Sequence, residues 1–193
     1  MAAWISMISD EDAGPELKAA LKVAQTPHGT VDNVMRVHSH RPNTMHGHCV
    51  LYRAALHDAA NTLPQWLQEV ISSYVSVLNQ CDYSYANHWK NAAHLIDDPE
   101  YAASVEKALT AKNPAAVFDG AELALLQYAE KLTISPGDMQ ESDVIALRNE
   151  GLDDGQILEA NQIICYFNYV NRSLNGLGVS TEGDIVGFYA DND

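Results

Sequence analysis

Apolar residues recur through most of this chain at three- and four-residue intervals, the repeat of a helix with one buried face. Leu17, Ala20, Leu21 and Ala24 mark a short helix over Glu16 to Ala24. Met45, Cys49, Tyr52 and Leu56 mark a second from about Asn43 to His57, with Cys49 on its buried stripe. Pro64 suits the first turn of a third, which carries Val70, Tyr74, Val77 and Leu78 and reaches about Asn79. A break at Asn79-Gln80 separates it from a fourth, Cys81 to Leu95, and Asp98-Pro99 opens a fifth that ends near Leu109.

The second half repeats the theme. Lys112 to Phe118, with its Asn-Pro step, reads as a connector. Asp119 with Glu122 three residues on predicts a capped start for a helix to Leu132. Ser135-Pro136-Gly137 predicts a turn, Met139 to Asn149 a helix, and Gly151 its stop. Asp153 with Gln156 repeats the capping pattern before a long apolar helix to about Leu174. The Gly- and Asp-rich last residues predict an extended tail. No stretch alternates with the period of a strand, so the fold class is an all-α bundle.

A length of 193 residues suits one domain or two small halves around one core. Leu67-Gln68-Glu69 is echoed by Ile157-Leu158-Glu159. Setting Glu159 on Glu69 places Asn171 on Cys81 and Gly178 on His88. The expectation is one domain over 1–193, with an active half at about 37–110, a degenerate half at about 119–179, and a tail at 180–193.

Charge narrows the partners. Eleven basic residues face 26 acidic ones, a net −15, so no cationic footprint is present for nucleic acid or an anionic membrane surface. No apolar run approaches the ~18 residues of a membrane span. The first residues lack the basic-then-apolar order of a secretory signal, and a cytoplasmic location is the expectation. Cys49, Cys81 and Cys165 are odd in number and far apart, so no disulfide framework is implied.

One hairpin concentrates chemistry. Cys81, Ser84 and His88 follow at three- and four-residue spacing and share a helix face. Cys81 falls at the start of that helix, where unpaired N–H groups and the dipole favour a thiolate, the reactive form. Glu69 lies on the preceding helix, ~15 Å back from the turn, and His88 lies ~10 Å beyond Cys81. Antiparallel packing brings their side chains to similar depth. Nucleophile, acid/base and orienting carboxylate are then Cys81, His88 and Glu69, with Ser84 a hydrogen-bonding neighbour.

This segment resembles the active-site pattern of the alkyl hydroperoxidase D (AhpD) and carboxymuconolactone decarboxylase superfamily, Glu-(eleven residues)-Cys-(two)-Cys-(three)-His. Val75-Ser76-Val77-Leu78-Asn79-Gln80-Cys81-Asp82-Tyr83 is similar to the peroxidase-related branch. So are Tyr166-Phe167-Asn168-Tyr169-Val170-Asn171-Arg172 and Gly176-Leu177-Gly178-Val179. The resemblance runs from about Val37 to Val179. It implies an all-helical, often duplicated fold, assembled as a trimer or hexamer. It also implies a thiol-dependent peroxidase that reduces a hydroperoxide or other small molecule with electrons from an external thiol, with no metal, haem or flavin cofactor.

Ser84 stands where the family has its second cysteine. A Cys-x-x-Ser pair cannot close an internal disulfide. What remains is a single-cysteine cycle: Cys81 becomes a sulfenic acid, and an external thiol, or less readily Cys49 or Cys165, reduces it. Two other readings stand beside it. In a non-redox, decarboxylase-like enzyme, Glu69 and His88 move protons and Cys81 is dispensable. The third is a catalytically silent oligomeric binding protein.

Other features draw blander readings. Cys49 and Cys165 sit on apolar stripes and read as core. His28, His38, His40, His46 and His48 crowd one stretch, but i, i+2 positions point apart and no His-Glu-x-x-His or Cys-x-x-Cys accompanies them, so a polar or interface cluster is expected. Tyr83, Tyr85 and Trp89 line a pocket near Cys81 or form packing surface. Arg172, inside an apolar helix, is expected to pair with a carboxylate.

Overall fold

The computed structural model describes residues 1–189. Nine α-helices follow in order among them: α1 (Pro15–Val23), α2 (Asn33–Arg36), α3 (Pro42–Leu56), α4 (Gln65–Leu78), α5 (Asp82–Ile96), α6 (Pro99–Thr110), α7 (Gly120–Ile134), α8 (Glu141–Asn149) and α9 (Asp154–Leu177). Single 3₁₀ turns at Pro114–Ala116 and Pro136–Asp138 fill the two expected connectors. No strand occurs among the described residues.

The bundle is built around α4, which packs against α5, α9, α7 and α6. A central helix must be apolar nearly all round, and α4 is buried from Leu67 to Ser76 without interruption. Its serines remain compatible with the core because each hydroxyl donates back along the helix: Ser72 to the Gln68 carbonyl, Ser73 to Glu69 and Ser76 to Ser72, at 2.7–2.8 Å. Val70, Ile71, Tyr74 and Val75 are fully buried from α4, facing Leu125, Leu126, Ile163, Ile164 and Phe167 in one main core. A second, smaller core joins α1 to α3 through Leu17, Leu21, Met35, Met45 and Cys49.

Capping agrees with the sequence in part. Asp153 and Gln156 form the reciprocal box that starts α9, at 2.9 and 3.1 Å. Asp98 accepts from the Glu100 and Tyr101 amides and starts α6. Asp119 does not cap α7 with its side chain. The expected box with Glu122 is therefore not formed. Pro64 precedes α4 as its N-cap instead of entering the first turn. The short α2 was not anticipated, since four residues carry too little periodicity to register.

The turn from α4 to α5 positions the chemistry. The Gln80 amide donates to the Val77 carbonyl at 3.1 Å and the Cys81 amide to Ser76 at 2.9 Å. This is a Schellman closure, with Gln80 in the left-handed region at φ 52° where glycine is usual. Cys81 then serves at once as N-cap of α5, its carbonyl accepting from Tyr85 at 3.0 Å.

The described residues after α9 form no helix or strand and turn once at Thr181–Asp184, and they are not a loose end. Asp184 accepts from the Asn33 amide and from the Tyr83 hydroxyl. The Gly187 amide donates to Asn87 Oδ1 and the Phe188 amide to Asn91 Oδ1. The segment therefore straps the face of α5 that carries Ser84 and His88. Expectations for residues 190–193 lie outside the described residues.

Candidate active site

Glu69, from the middle of α4, is only 1% exposed. Desolvating a carboxylate is costly unless its oxygens are satisfied. Here Oε2 meets Nδ1 of His88 at 2.6 Å, and Oε1 accepts from the Asn91 side-chain amide at 3.2 Å. His88 and Asn91 are three residues apart on α5, so one turn of helix grips both oxygens of one carboxylate. The depth match inferred from the helix rise is thus realised. The His88 ring stands edge-on to Phe167, centroids 4.6 Å apart, which fixes its plane.

Cys81 is buried, at 2% exposure. Burial pushes its thiol pKa up. The Ser84 amide and hydroxyl and the Asn171 side chain act on the sulfur in the opposite sense, as hydrogen-bond donors to the thiolate. The helix-start argument predicted a favoured thiolate; desolvation outweighs it. Asn171, the residue that the internal echo sets on Cys81, itself lies against the α4–α5 turn, accepting from Asn79 at 3.1 Å. Glu159, the echo of Glu69, accepts from the Thr62 and Leu63 amides at 2.9 Å.

A cavity of about 470 Å³ opens beside this cluster, within the range of small-molecule sites. Ser84, His88, Asn87 and Asn91 of α5 form one wall, and Cys49, Tyr52, Arg53 and His57 of α3 the facing one. Tyr166 and Val170 of α9 contribute from a third side, Asp32, Val34 and Met35 come from the N-terminal segment, and Gly187 and Phe188 come from the strap. Cys81 is not among the lining residues. Ser84 and His88 therefore face the cavity, and the sulfur lies behind Ser84.

The remaining candidates sort as follows. Tyr83 lines the cavity, whereas Tyr85 donates to Glu106 at 3.1 Å and Trp89 packs on the main core. Cys49 is buried, with its thiol 3.8 Å from Met35 Sδ, and it also lines the cavity. Cys165 is exposed, contrary to the core expectation. It lies on the exposed side of α9, where its thiol is 3.7 Å from Asn161 Oδ1. Among the described residues, Arg172 does not find a carboxylate. It donates to the Asn168 carbonyl and to the side-chain oxygens of Asn168 and Asn79, so amides take the role expected of an acid.

Two of the five histidines, His38 and His48, form a hydrogen-bonded line, while His28 bonds the Gly187 carbonyl and His40 bonds Ser6. His38 Nδ1 meets Thr44 Oγ1 at 2.8 Å, His38 Nε2 meets His48 Nδ1 at 3.1 Å, and His48 Nε2 meets the Tyr166 hydroxyl at 2.8 Å. Burial, with His38 as a neighbour, lowers the His48 pKa to about 4. Sequence reasoning missed Asn91, Asp32, His57 and the strap. An Asn three residues beyond His88 was the one local signal available.

No protein-family model matches the chain, and no curated protein matches it. Solved structures do. An uncharacterised peroxidase-related protein from Silicibacter superposes with a TM-score of 0.80 at 20% identity, over 95% of this chain and 93% of that one. The alkylhydroperoxidase AhpD core of a peroxidase-related protein from Ralstonia eutropha gives 0.79 at 21%, over 95% and 94%. The fold is AhpD-like. A third neighbour, the debrominase Bmp8, was solved as a cysteine-to-alanine variant in complex with 2,3,4-tribromopyrrole; it gives 0.73 at 17%, over 93% and 91%. Among the described residues, no helix is long and apolar enough to cross a membrane.

Proposed function

We propose that this protein is a thiol-dependent oxidoreductase that reduces a small organic hydroperoxide with Cys81, using Glu69 and His88 as the proton relay. The observation that carries this reading is the 2.6 Å contact of His88 with a buried, fully satisfied Glu69, on the helix that Cys81 caps. Glu69 occupies Nδ1 and so leaves Nε2 as the nitrogen that serves the cavity. The burial that raises the thiol pKa makes a base at this position necessary. His88 assists removal of the thiol proton, and the thiolate attacks the outer peroxide oxygen. The O–O bond breaks, the alkoxide takes a proton from His88, and the products are a cysteine sulfenic acid and an alcohol. Two equivalents of an external thiol then reduce the sulfenic acid: the first forms a mixed disulfide and releases water, and the second releases Cys81 as thiol and a disulfide of the external thiol. The trimer or hexamer of the sequence reading belongs to this proposal, supported by the exposed Leu158 and Tyr169 that share a face of α9.

Substoichiometric hydroperoxide should add one oxygen to Cys81, seen by intact mass and peptide mapping, and Cys81→Ser should abolish turnover. Glu69→Gln should lower it by about 10²–10⁴-fold, the usual weight of acid–base assistance. Turnover unchanged in Cys81→Ser would overturn the redox reading.

One observation favours a second reading. Ser84 and His88 line the cavity and Cys81 does not. In a non-redox enzyme the Glu69–His88 pair would move protons on a carbonyl or lactone substrate in that cavity. Turnover that survives thiol alkylation but fails in His88→Ala would select it.

A further inference from the structure

Tyr52, Tyr83 and Tyr166 line the cavity, and their hydroxyls differ in what they have left to offer. Tyr83 donates to Asp184 and accepts from the Val34 amide. Tyr166 is committed as well. The Thr44 hydroxyl donates to the Arg41 carbonyl, so His38 Nδ1 must donate to Thr44, and His38 Nε2 must accept from His48 Nδ1. His48 Nε2 is then an acceptor, and the Tyr166 proton points at it. The wall amides are taken too: Asn87 donates to the Tyr83 carbonyl and accepts from Gly187, and Asn91 donates to Glu69 and accepts from Phe188.

Tyr52 is the exception. Among the described residues, its hydroxyl has no hydrogen-bond partner. Its ring is held by contacts with other rings, edge-on to His57 at 4.8 Å and tilted against Tyr166 at 5.7 Å between centroids. Sealed, unpaired polar atoms do occur in this wall, at Asp32 Oδ1 and His57 Nε2, but the Tyr52 oxygen is not one of them, so water reaches it. Burial nonetheless pushes its pKa well above the usual tyrosine range, and the Glu69 charge adds to the effect. A hydroxyl that lies inside the protein, feels Glu69 and is still reached by water opens onto the cavity. It keeps its proton and is a standing donor. From the other wall, His88 Nε2 is in the same condition: it has no partner among the described residues, it is not sealed, and the side chain is 12% exposed.

We propose that Tyr52 is a substrate-binding residue of this site, whose hydroxyl donates a hydrogen bond to an oxygen of the bound molecule across the cavity from His88. This role rests on the cavity of the proposed function being the substrate site, but not on the thiol. In the hydroperoxide reaction the oxygen held is the one that leaves. The Cys81 sulfur bonds to the outer oxygen, the O–O bond breaks, and the alkoxide accepts the Tyr52 hydrogen bond while it takes its proton from His88. Tyr52 keeps its own proton throughout, so it stabilises developing charge and is not the acid. In the non-redox reading a carbonyl oxygen is held in the same way.

The test compares the full chain with Tyr52→Phe. Because the hydroxyl has no internal partner, the urea midpoint should not change. Oxidation of Cys81 by cumene hydroperoxide, followed by intact mass, should slow by about 10–100-fold, the worth of one donor to a developing charge. The pH profile of that oxidation should keep its shape, since Tyr52 does not titrate. Acetophenone has an acceptor oxygen but no O–O bond, and calorimetric titration reads its binding without the thiol. Cys81→Ser should bind it about fivefold more tightly than the double variant Cys81→Ser, Tyr52→Phe, the worth of one neutral hydrogen bond. If Cys81 is inert to hydroperoxide while the acetophenone contrast persists, the redox reading fails and the role of Tyr52 stands. Equal or unmeasurable acetophenone binding, unslowed oxidation of a reactive Cys81, or a lowered urea midpoint in Tyr52→Phe would each overturn that role.

Discussion

The Tyr83 hydroxyl donates to Asp184 at 2.6 Å and accepts from the Val34 amide at 3.2 Å. One side chain on the first turn of α5 thereby joins the N-terminal segment, α5 and the C-terminal strap. Burial and the Asp184 charge push the tyrosine pKa up, so the hydroxyl stays a donor throughout the accessible pH range.

Tyr83→Phe should cost about 1–2 kcal/mol, because it removes a hydrogen bond to a charged group and leaves the Val34 amide unpaired. Hydrogen exchange should speed up first at Asn33 and Val34 and along 184–189. Urea unfolding gives the total. A change confined to the α5 core would contradict the strap.

Asp32 should leave a pH signature of its own. Burial and Asp184 raise its pKa from 3.8 to about 6, against a smaller opposing pull from His28. The folded state therefore holds this proton more tightly than the unfolded chain. Its contribution is complete below about pH 4 and is lost as pH rises through about 6. Asp32 is half-buried, and solvent screening reduces the effect to about 1 kcal/mol. Asp32→Asn should flatten this slope and be relatively more stable than wild type at pH 7. The comparison of denaturation midpoints from pH 4 to 8 reads it.

His48 should behave in the opposite sense. Its folded pKa of about 4 lies below the ordinary 6.5, so the stability it gives is complete above pH 6.5 and is lost as pH falls through about 4. Its ring resonances should hold their neutral positions down to about pH 5. A midpoint above 6 would mean that the line from His38 to Tyr166 is not closed as described.

Ser84→Cys should restore a disulfide-competent pair. Residues three apart at a helix start place their Cα atoms within disulfide range. Mild oxidation should lower the intact mass by two hydrogens and remove two titratable thiols. Because position 84 lines the cavity, the new thiol should also be alkylated before Cys81. Equal alkylation of the two would show that Cys81 is as accessible as the cavity wall.

Much of this arrangement is legible in the sequence because it is local. Glu69, Cys81, Ser84 and His88 lie within one helical hairpin, and helix rise and period alone put Glu69 against His88. The strap is not local. Asp184, Gly187 and Phe188 act on partners about a hundred or more residues away, and nothing in their own neighbourhood marks them. Cys165 shows a different gap: period gives an angle around α9, but not which side meets α4. The Cys81 thiol shows a third, since helix-end electrostatics can be read from spacing and dehydration cannot.

Asn91 holds the Glu69 carboxylate with its amide nitrogen and the Phe188 backbone with its oxygen. A residue of the cavity wall and the carboxylate that meets His88 thus hang on one side chain. Displacing Phe188 pulls on Asn91, and pulling on Asn91 slackens the grip on Glu69. Asn91 therefore couples the placement of Phe188 in the cavity wall to the placement of Glu69 beside His88.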